Sequence, residues 1–168
     1  MSISTLRFSL LLSSMLVISG CGFQLKGSQD DGKGTLSGMQ VAVISAEPRS
    51  ELTSALLQQL SLAGVAIATP GADVLNVKLG VEQFTQRNLS LTAQARAAEI
   101  ELRLSTVFSA HQDQQEHIIE TQVQVVRQML NDPRNVTGKT EEIRLFREEM
   151  RRDLAVQIVR RLNNSLAE

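Results

Sequence analysis

Residues 98–108 constrain the fold more than any other stretch. Ala98, Ile100, Leu102, Leu104, Thr106 and Phe108 alternate with Glu99, Glu101, Arg103 and Ser105. A period of two with one apolar face marks a half-buried strand. Such a strand needs a sheet with one face on a core and the other face polar. Ile119, Thr121, Val123 and Val125 repeat the pattern against Glu120, Gln122 and Gln124. The polar stretch HQDQQEH between them, residues 111–117, predicts a hairpin loop.

Helical spacing appears on either side of these strands. Ile143, Phe146, Met150, Leu154, Ile158, Leu162 and Leu166 recur at intervals of three and four, which predicts a long amphipathic helix. Pro133 and Gly138 in NDPRNVTGK break the chain before it, Thr140 suits its N-cap, and Glu141 and Glu142 suit the positive end of its dipole. Upstream, Met39 to Ser45 reads as a β-branched strand. Pro48 suits the first turn of a helix that carries Leu52, Ala55, Leu56, Leu60 and Ala63 on one side and stops at Gly64. A turn signal, TPGAD, follows within residues 65–73. Leu75, Val77, Leu79 and Val81 then alternate with Asn76, Lys78, Gly80 and Glu82 as a further strand. Gly80 and the phase shift to Phe84 predict a bulge or bend. TQRNLSLTAQAR, residues 85–96, reads as a polar connection of no assigned form.

The expected order is β-α-β-β-β-α. It makes an α/β two-layer sandwich, a four-stranded sheet with two helices packed on one face. The other face would carry Lys78, Glu82, Glu99, Glu101, Arg103, Gln122 and Gln124, in solvent or against a wet surface of a partner.

The start of the chain reads as an address. Arg7 is followed by an apolar run from Phe8 to Ile18 broken by serines, too short for the ~20 residues of a membrane-spanning helix. This is the layout of a secretory signal peptide. Ile18-Ser19-Gly20-Cys21 resembles the bacterial lipobox, with the sole cysteine at its end. The resemblance implies cleavage before Cys21, a diacylglyceryl thioether on its thiol, and an amine that is itself acylated, as with palmitate. Acyl chains contribute ~0.8 kcal/mol per buried methylene, and stable anchoring takes more than one chain. Gly22 in place of aspartate implies sorting to the outer membrane. The expected organisation is a signal peptide over 1–20, a lipidated cysteine with a glycine-rich flexible tether over 21–38, and one domain over 39–168.

Removal of the first 20 of 168 residues takes one of 17 basic groups and leaves 16 against 18 acidic ones, a net charge of −2 over 148 residues. A generic nucleic-acid binder normally has a basic excess, so nucleic acid is not an expected partner. The chain has no Trp or Tyr and five Phe, which leaves few platforms for stacking bases or sugars.

Enzyme readings are weak. His111 and His117 flank the predicted hairpin loop without a Cys or further His to complete a metal site. Glu99 and Glu101 share a strand face, but Arg103 beside them favours ion pairing over acid–base work. No GxSxG, HExxH or phosphate-cradling glycine loop occurs, and no catalytic residue, metal or cofactor is expected. Arg144, Arg147, Arg151, Arg152, Arg160 and Arg161 line the last helix. They read as a solvated face paired by Glu148 and Glu149, or as a phosphate-facing row. The first is favoured because i,i+4 pairing is common.

CGFQLKG, residues 21–27, resembles the mature N-terminus of the LPS-assembly lipoprotein family (LptE, also called RlpB). LLQQLSLAGV resembles that family's leucine-rich first helix, NDPRNVTGK its Asn-Pro loop, and REEMRRDLAVQIVRRL its last helix. The motifs fall in the family's order over nearly all of residues 21–166. The resemblance implies an outer-membrane lipoprotein that plugs and stabilises the LptD β-barrel. Together the two would insert lipopolysaccharide (LPS) into the outer leaflet, without catalysis. It implies a lipid anchor on the periplasmic side, with the domain inside the barrel lumen. It also implies LPS contacts at Lys139, after the Asn-Pro loop, and in the connection between strands. There the aligned position is Ala93, with Arg87 and Arg96 flanking it as substitutes. Lys139 also reads simply as a lysine near a helix start, and Asn131, Asp132 and Pro133 as loop-shaping residues. Two other functions remain: a lipoprotein accessory of another envelope machine, such as the barrel-insertion complex, and a lipid-tethered hydrolase resting on His111 and His117.

Overall fold

The computed structural model describes residues 34–91, 97–130 and 136–167. Cys21, Ala93, Arg96 and Asn131 to Pro133 lie outside them, as does the predicted signal peptide. The elements run β1 (Gln40–Ser45), α1 (Glu51–Leu62), β2 (Ala66–Ile67), β3 (Leu75–Leu79), β4 (Gln83–Leu91), β5 (Ala97–Gln112), β6 (Gln115–Leu130) and α2 (Val136–Ser165).

Local chemistry sets the boundaries of α1. The Ser50 hydroxyl accepts from the Thr53 N–H at 3.1 Å, satisfying one of the donors that a helix start leaves open. Pro48 therefore sits one turn earlier than expected, inside a turn closed by the Ser50 N–H on the Glu47 carbonyl. At the other end Gly64 takes a φ of +78°. There the Gly64 N–H reaches the Ser61 carbonyl at 3.0 Å and the Val65 N–H the Leu60 carbonyl at 3.1 Å, a Schellman closure.

The four-stranded sheet is overturned. Among the described residues the sheet has six strands and is mixed: β1 pairs in parallel with β2 and β3, and the other pairings are antiparallel. β5 organises it. β6 runs along one side of β5 over nearly its whole length. On the other side β4 pairs with its first half and β3 with its second. β3 and β4 are thus two halves of one path that breaks at Gly80–Glu82. At the break the Gly80 N–H still reaches the Val107 carbonyl at 2.9 Å.

β4 occupies most of the segment read as an unassigned connection, because Thr85, Gln86, Arg87 and Asn88 carry no apolar alternation. Backbone pairing to β5 makes it a strand. The same cause lengthens β5 and β6 into the predicted hairpin loop. The turn itself is only Asp113–Gln114, with Asp113 at φ 52°. α2 likewise starts at Val136 rather than at Thr140 and carries Gly138 within it.

The core forms where the predicted periodicities meet. Leu52, Leu56 and Leu60 of α1 join Met150, Leu154, Ile158 and Leu162 of α2 over Leu75, Val77, Leu102, Leu104, Phe108 and Val123. Ile143, Phe146 and Leu166 lie at its margin, partly buried. Leu36, placed by composition in the tether, is fully buried, and its N–H donates to Asn163 Oδ1 at 3.1 Å.

Candidate functional site

Two polar constructions stand out, one on the outer face of the sheet and one at the β3–β4 break. On the outer face, Glu101 is nearly buried between two arginines. Arg103 Nη2 lies 3.1 Å from Glu101 Oε1, and Arg87 Nη2 lies 3.4 Å from Oε2. Arg103 Nη1 also donates to Gln124 Oε1 across to β6. Strand register builds this row, because Arg87 stands opposite Glu101 and Arg103 opposite Val126. The Arg87 side chain remains 68% exposed, so most of its donors face outward. Lys78, Gln122 and Gln128 are exposed as well, and Val107, Val126 and Leu130 place apolar surface among them. This face can make many weak polar contacts.

Lys139 stands in the first turn of α2, half-buried. β6 ends at Leu130, opposite Glu99, and α2 begins at Val136.

Glu82 departs from its expected place on the solvated face. Its side chain is only 6% exposed and turns toward α2. Arg147 Nε and Nη2 donate to Oε1 at 2.9 and 2.6 Å. Arg151 Nε donates to Oε2 at 2.6 Å and its Nη2 to Oε1 at 2.9 Å. Arg151 also pairs with Glu51 at the start of α1, and the Arg147 guanidinium stacks 4.9 Å above the Phe84 ring. Burial pushes the Arg151 pKa down from its ordinary value. One carboxylate at the bend therefore ties α2 to the sheet, and Arg151 extends the link to Glu51 of α1. The sequence signal for it was the lost phase after Gly80.

The arginine row of α2 is accordingly divided. Arg147 and Arg151 serve Glu82, while Arg144 and Arg152 pair with Glu148 at 3.6 and 3.4 Å as i,i+4 spacing suggests. Arg144 also grips Glu141 through two hydrogen bonds, which hold that carboxyl below its ordinary range. Arg161 donates to the Gln122 carbonyl at the edge of β6. His111 and His117 sit on opposite strands of the hairpin. Among the described residues, no three His, Cys, Asp or Glu side chains converge as a metal site would need. Among them, too, no helix is long and apolar enough to cross a membrane.

Comparison with known proteins agrees with this architecture. The family model LptE, described as lipopolysaccharide-assembly, matches residues 38–162. The LPS-assembly lipoprotein LptE of Pectobacterium atrosepticum is 29% identical over 159 residues, covering 92% of this chain and 84% of that protein. Its namesake in Yersinia pestis is also 29% identical, over 91% of this chain and 73% of that one. The crystal structure of rare lipoprotein B from Shewanella oneidensis superposes with a TM-score of 0.70 at 27% identity, over 75% of this chain and 95% of that one. A minor lipoprotein from Acinetobacter baumannii shares the fold at a TM-score of 0.63 and 19% identity, over 77% of this chain and 93% of that one.

Proposed function

The chain belongs to the LptE family of lipopolysaccharide-assembly proteins, and from that premise we propose that it is an outer-membrane lipoprotein that plugs and stabilises the LptD β-barrel and assists LPS insertion. The observation that carries the reading is the family match over 38–162 on a domain whose sheet presents one polar face. Large barrel lumens are polar, and such a face suits a wet wall better than a lipid one. Cys21 is the proposed lipid anchor, with residues 1–20 its signal peptide and the domain following the tether.

Lys139, Arg87 and Arg96 are the proposed LPS contacts. Lysine and arginine both hold phosphate, arginine as a fork and lysine as a point charge. The exposed side chain of Arg87, 68% accessible, supports its part in this.

The test is co-purification. The full chain, tagged at its C-terminus, is extracted from outer membranes in mild detergent and its companions are weighed. The expected result is one large barrel protein at equal stoichiometry together with LPS. Recovery alone, or with another envelope machine, would sink the reading. Lys139→Ala with Arg87→Ala should then lower retained LPS by about a hundredfold or more while barrel recovery holds, since charge-assisted bonds contribute about 1.5–3 kcal/mol each and every 1.4 kcal/mol is tenfold.

A further inference from the structure

We infer that the seam between α1 and α2 binds an acyl lipid carrying a phosphate monoester, its phosphate at a cationic end and its chain at an apolar end. The site is separate from the LPS contacts proposed above. Arg87 stands on the outer face of the sheet while the helices cover the other, and Lys139 lines neither cavity of the seam. Lipid binding here extends the lipid-handling reading and does not depend on the barrel.

Two cavities of about 360 and 380 Å³ follow each other along the seam. α1 turns Glu51, Ala55 and Gln58 to the first, and Gln59, Leu62 and Ala63 to the second. α2 turns Arg144, Glu148, Arg151 and Arg152 to the first, and Val156, Val159 and Arg160 to the second. Spacings of three and four keep each set on one side of its helix, so the cavities lie end to end.

Three guanidiniums meet in the first cavity. Arg151 is 13% exposed and gives Nε and Nη2 to Glu82 and Nη1 to Glu51. Glu51 is itself 74% exposed, so an incoming anion can take its place. Arg144 Nη1 and Arg152 Nη2 share Glu148 at 3.6 and 3.4 Å, longer than an ordinary hydrogen bond. Exposed pairs of this kind contribute little. A phosphate monoester brings more than one negative charge and three acceptor oxygens, one for each guanidinium. A carboxylate brings two, and guanidinium forks match phosphate bidentately.

The second cavity is lined by no carboxylate. Leu62 and Val156 are 73% and 48% exposed there, and Val159 is buried. Both exposed residues break the polar outer side that an amphipathic helix keeps. Arg160 is exposed beside them and has no ion pair among the described residues. The groove thus offers guanidiniums to one end of a ligand and hydrocarbon to the other. A second copy docked seam to seam would set these arginines against their own kind, because Glu51 and Glu148 are already held by Arg151, Arg144 and Arg152.

The test uses the full chain in dodecyl maltoside micelles doped with increasing dioleoyl phosphatidic acid. Arginine Nε–H signals of Arg144 and Arg152 and methyl signals of Leu62 and Val156 should shift together and saturate. Dioleoyl phosphatidylcholine should leave them in place. Arg144→Ala with Arg152→Ala should keep the melting temperature, since both side chains are exposed, and weaken the lipid about tenfold or more. Glu148→Gln removes a competing carboxylate and should raise affinity about threefold, the scale of an exposed pair. Leu62→Ser with Val156→Ser should weaken the lipid about tenfold and leave inorganic phosphate unaffected. Absence of saturable binding, unchanged affinity in the folded arginine variant, or weaker binding by Glu148→Gln would each overturn the site. Inorganic phosphate binding as tightly as the lipid would overturn the part given to the acyl chain. Tighter binding of an acetylated leucine–aspartate peptide would overturn it in favour of a protein segment. Displacement of the probe by purified LPS assigns the ligand to LPS, and displacement by phosphatidic acid vesicles alone assigns it to the membrane; either supports the site. A chain that binds the lipid but recovers no barrel would sink the plug reading and leave this site standing.

Discussion

Gly80 shows how one residue sets the geometry of the sheet. A Cβ there would lie 2.7 Å from Val107 Cγ2 and 3.2 Å from the Val107 carbonyl oxygen. Gly80→Ala should cost about 1–3 kcal/mol, the usual range for overpacking, seen as a lower melting temperature. Adding Val107→Ala should return part of it, because the closer of the two contacts goes. Glu82 is the complementary case. Replacing it by Gln leaves the guanidiniums of Arg147 and Arg151 facing each other with the carboxylate charge gone, and Arg151 is only 13% exposed. Removing one member of a buried ion network costs about 3–5 kcal/mol, and urea unfolding of Glu82→Gln should show a loss approaching that range. A loss under about 0.5 kcal/mol, the scale of exposed pairs, would mean that the bend is held by packing alone.

Elements depend on their ends. The hairpin of β5 and β6 turns on Asp113 in the left-handed region, where a β-branched side chain is strained. Asp113→Val should destabilise by about 1–2 kcal/mol and Asp113→Gly by little, read by thermal unfolding. Near the start of α2, Arg144 grips Glu141 on an exposed face. The Glu141 pKa is lowered from 4.5 by that hydrogen bond first and by charge second. Its stabilisation is therefore present above the ordinary carboxylate value and lost as pH falls through the lowered one. Amide shifts of the first turns of α2, followed down to acid pH, should report this, and Glu141→Gln should abolish that part of the titration.

At the scale of the whole molecule, the two helices and the bent sheet share one apolar core, and Glu82, Arg147, Arg151 and Glu51 add a polar link among all three. The helices seal one face, and the other keeps a row of arginines, glutamates and glutamines at its surface. Double replacement of Glu82 and Glu51 should loosen α2 from the sheet. Hydrogen exchange would then speed up along the first half of α2 well before the core strands lose protection.

Much of the architecture was legible because burial writes itself into period. Leu52, Leu56 and Leu60 of α1, Ile100, Leu102, Leu104 and Phe108 of β5, and Leu154, Ile158 and Leu162 of α2, all predicted inward, pack in the core, and Gly64 ends its helix as expected. Family membership was legible too, carried by short motifs in order. What the sequence by itself determined is therefore the set of apolar faces and the broad α/β class. Only the tertiary structure decided the six strands, since β4 and the ends of β5 and β6 are held by backbone pairing that leaves no apolar alternation behind. Only it decided that Glu82 turns inward, because a bend changes which face a residue occupies without changing the residue. And only it decided that β6 ends the sheet among the described residues, since an edge is a property of which strands have neighbours and no single strand records it.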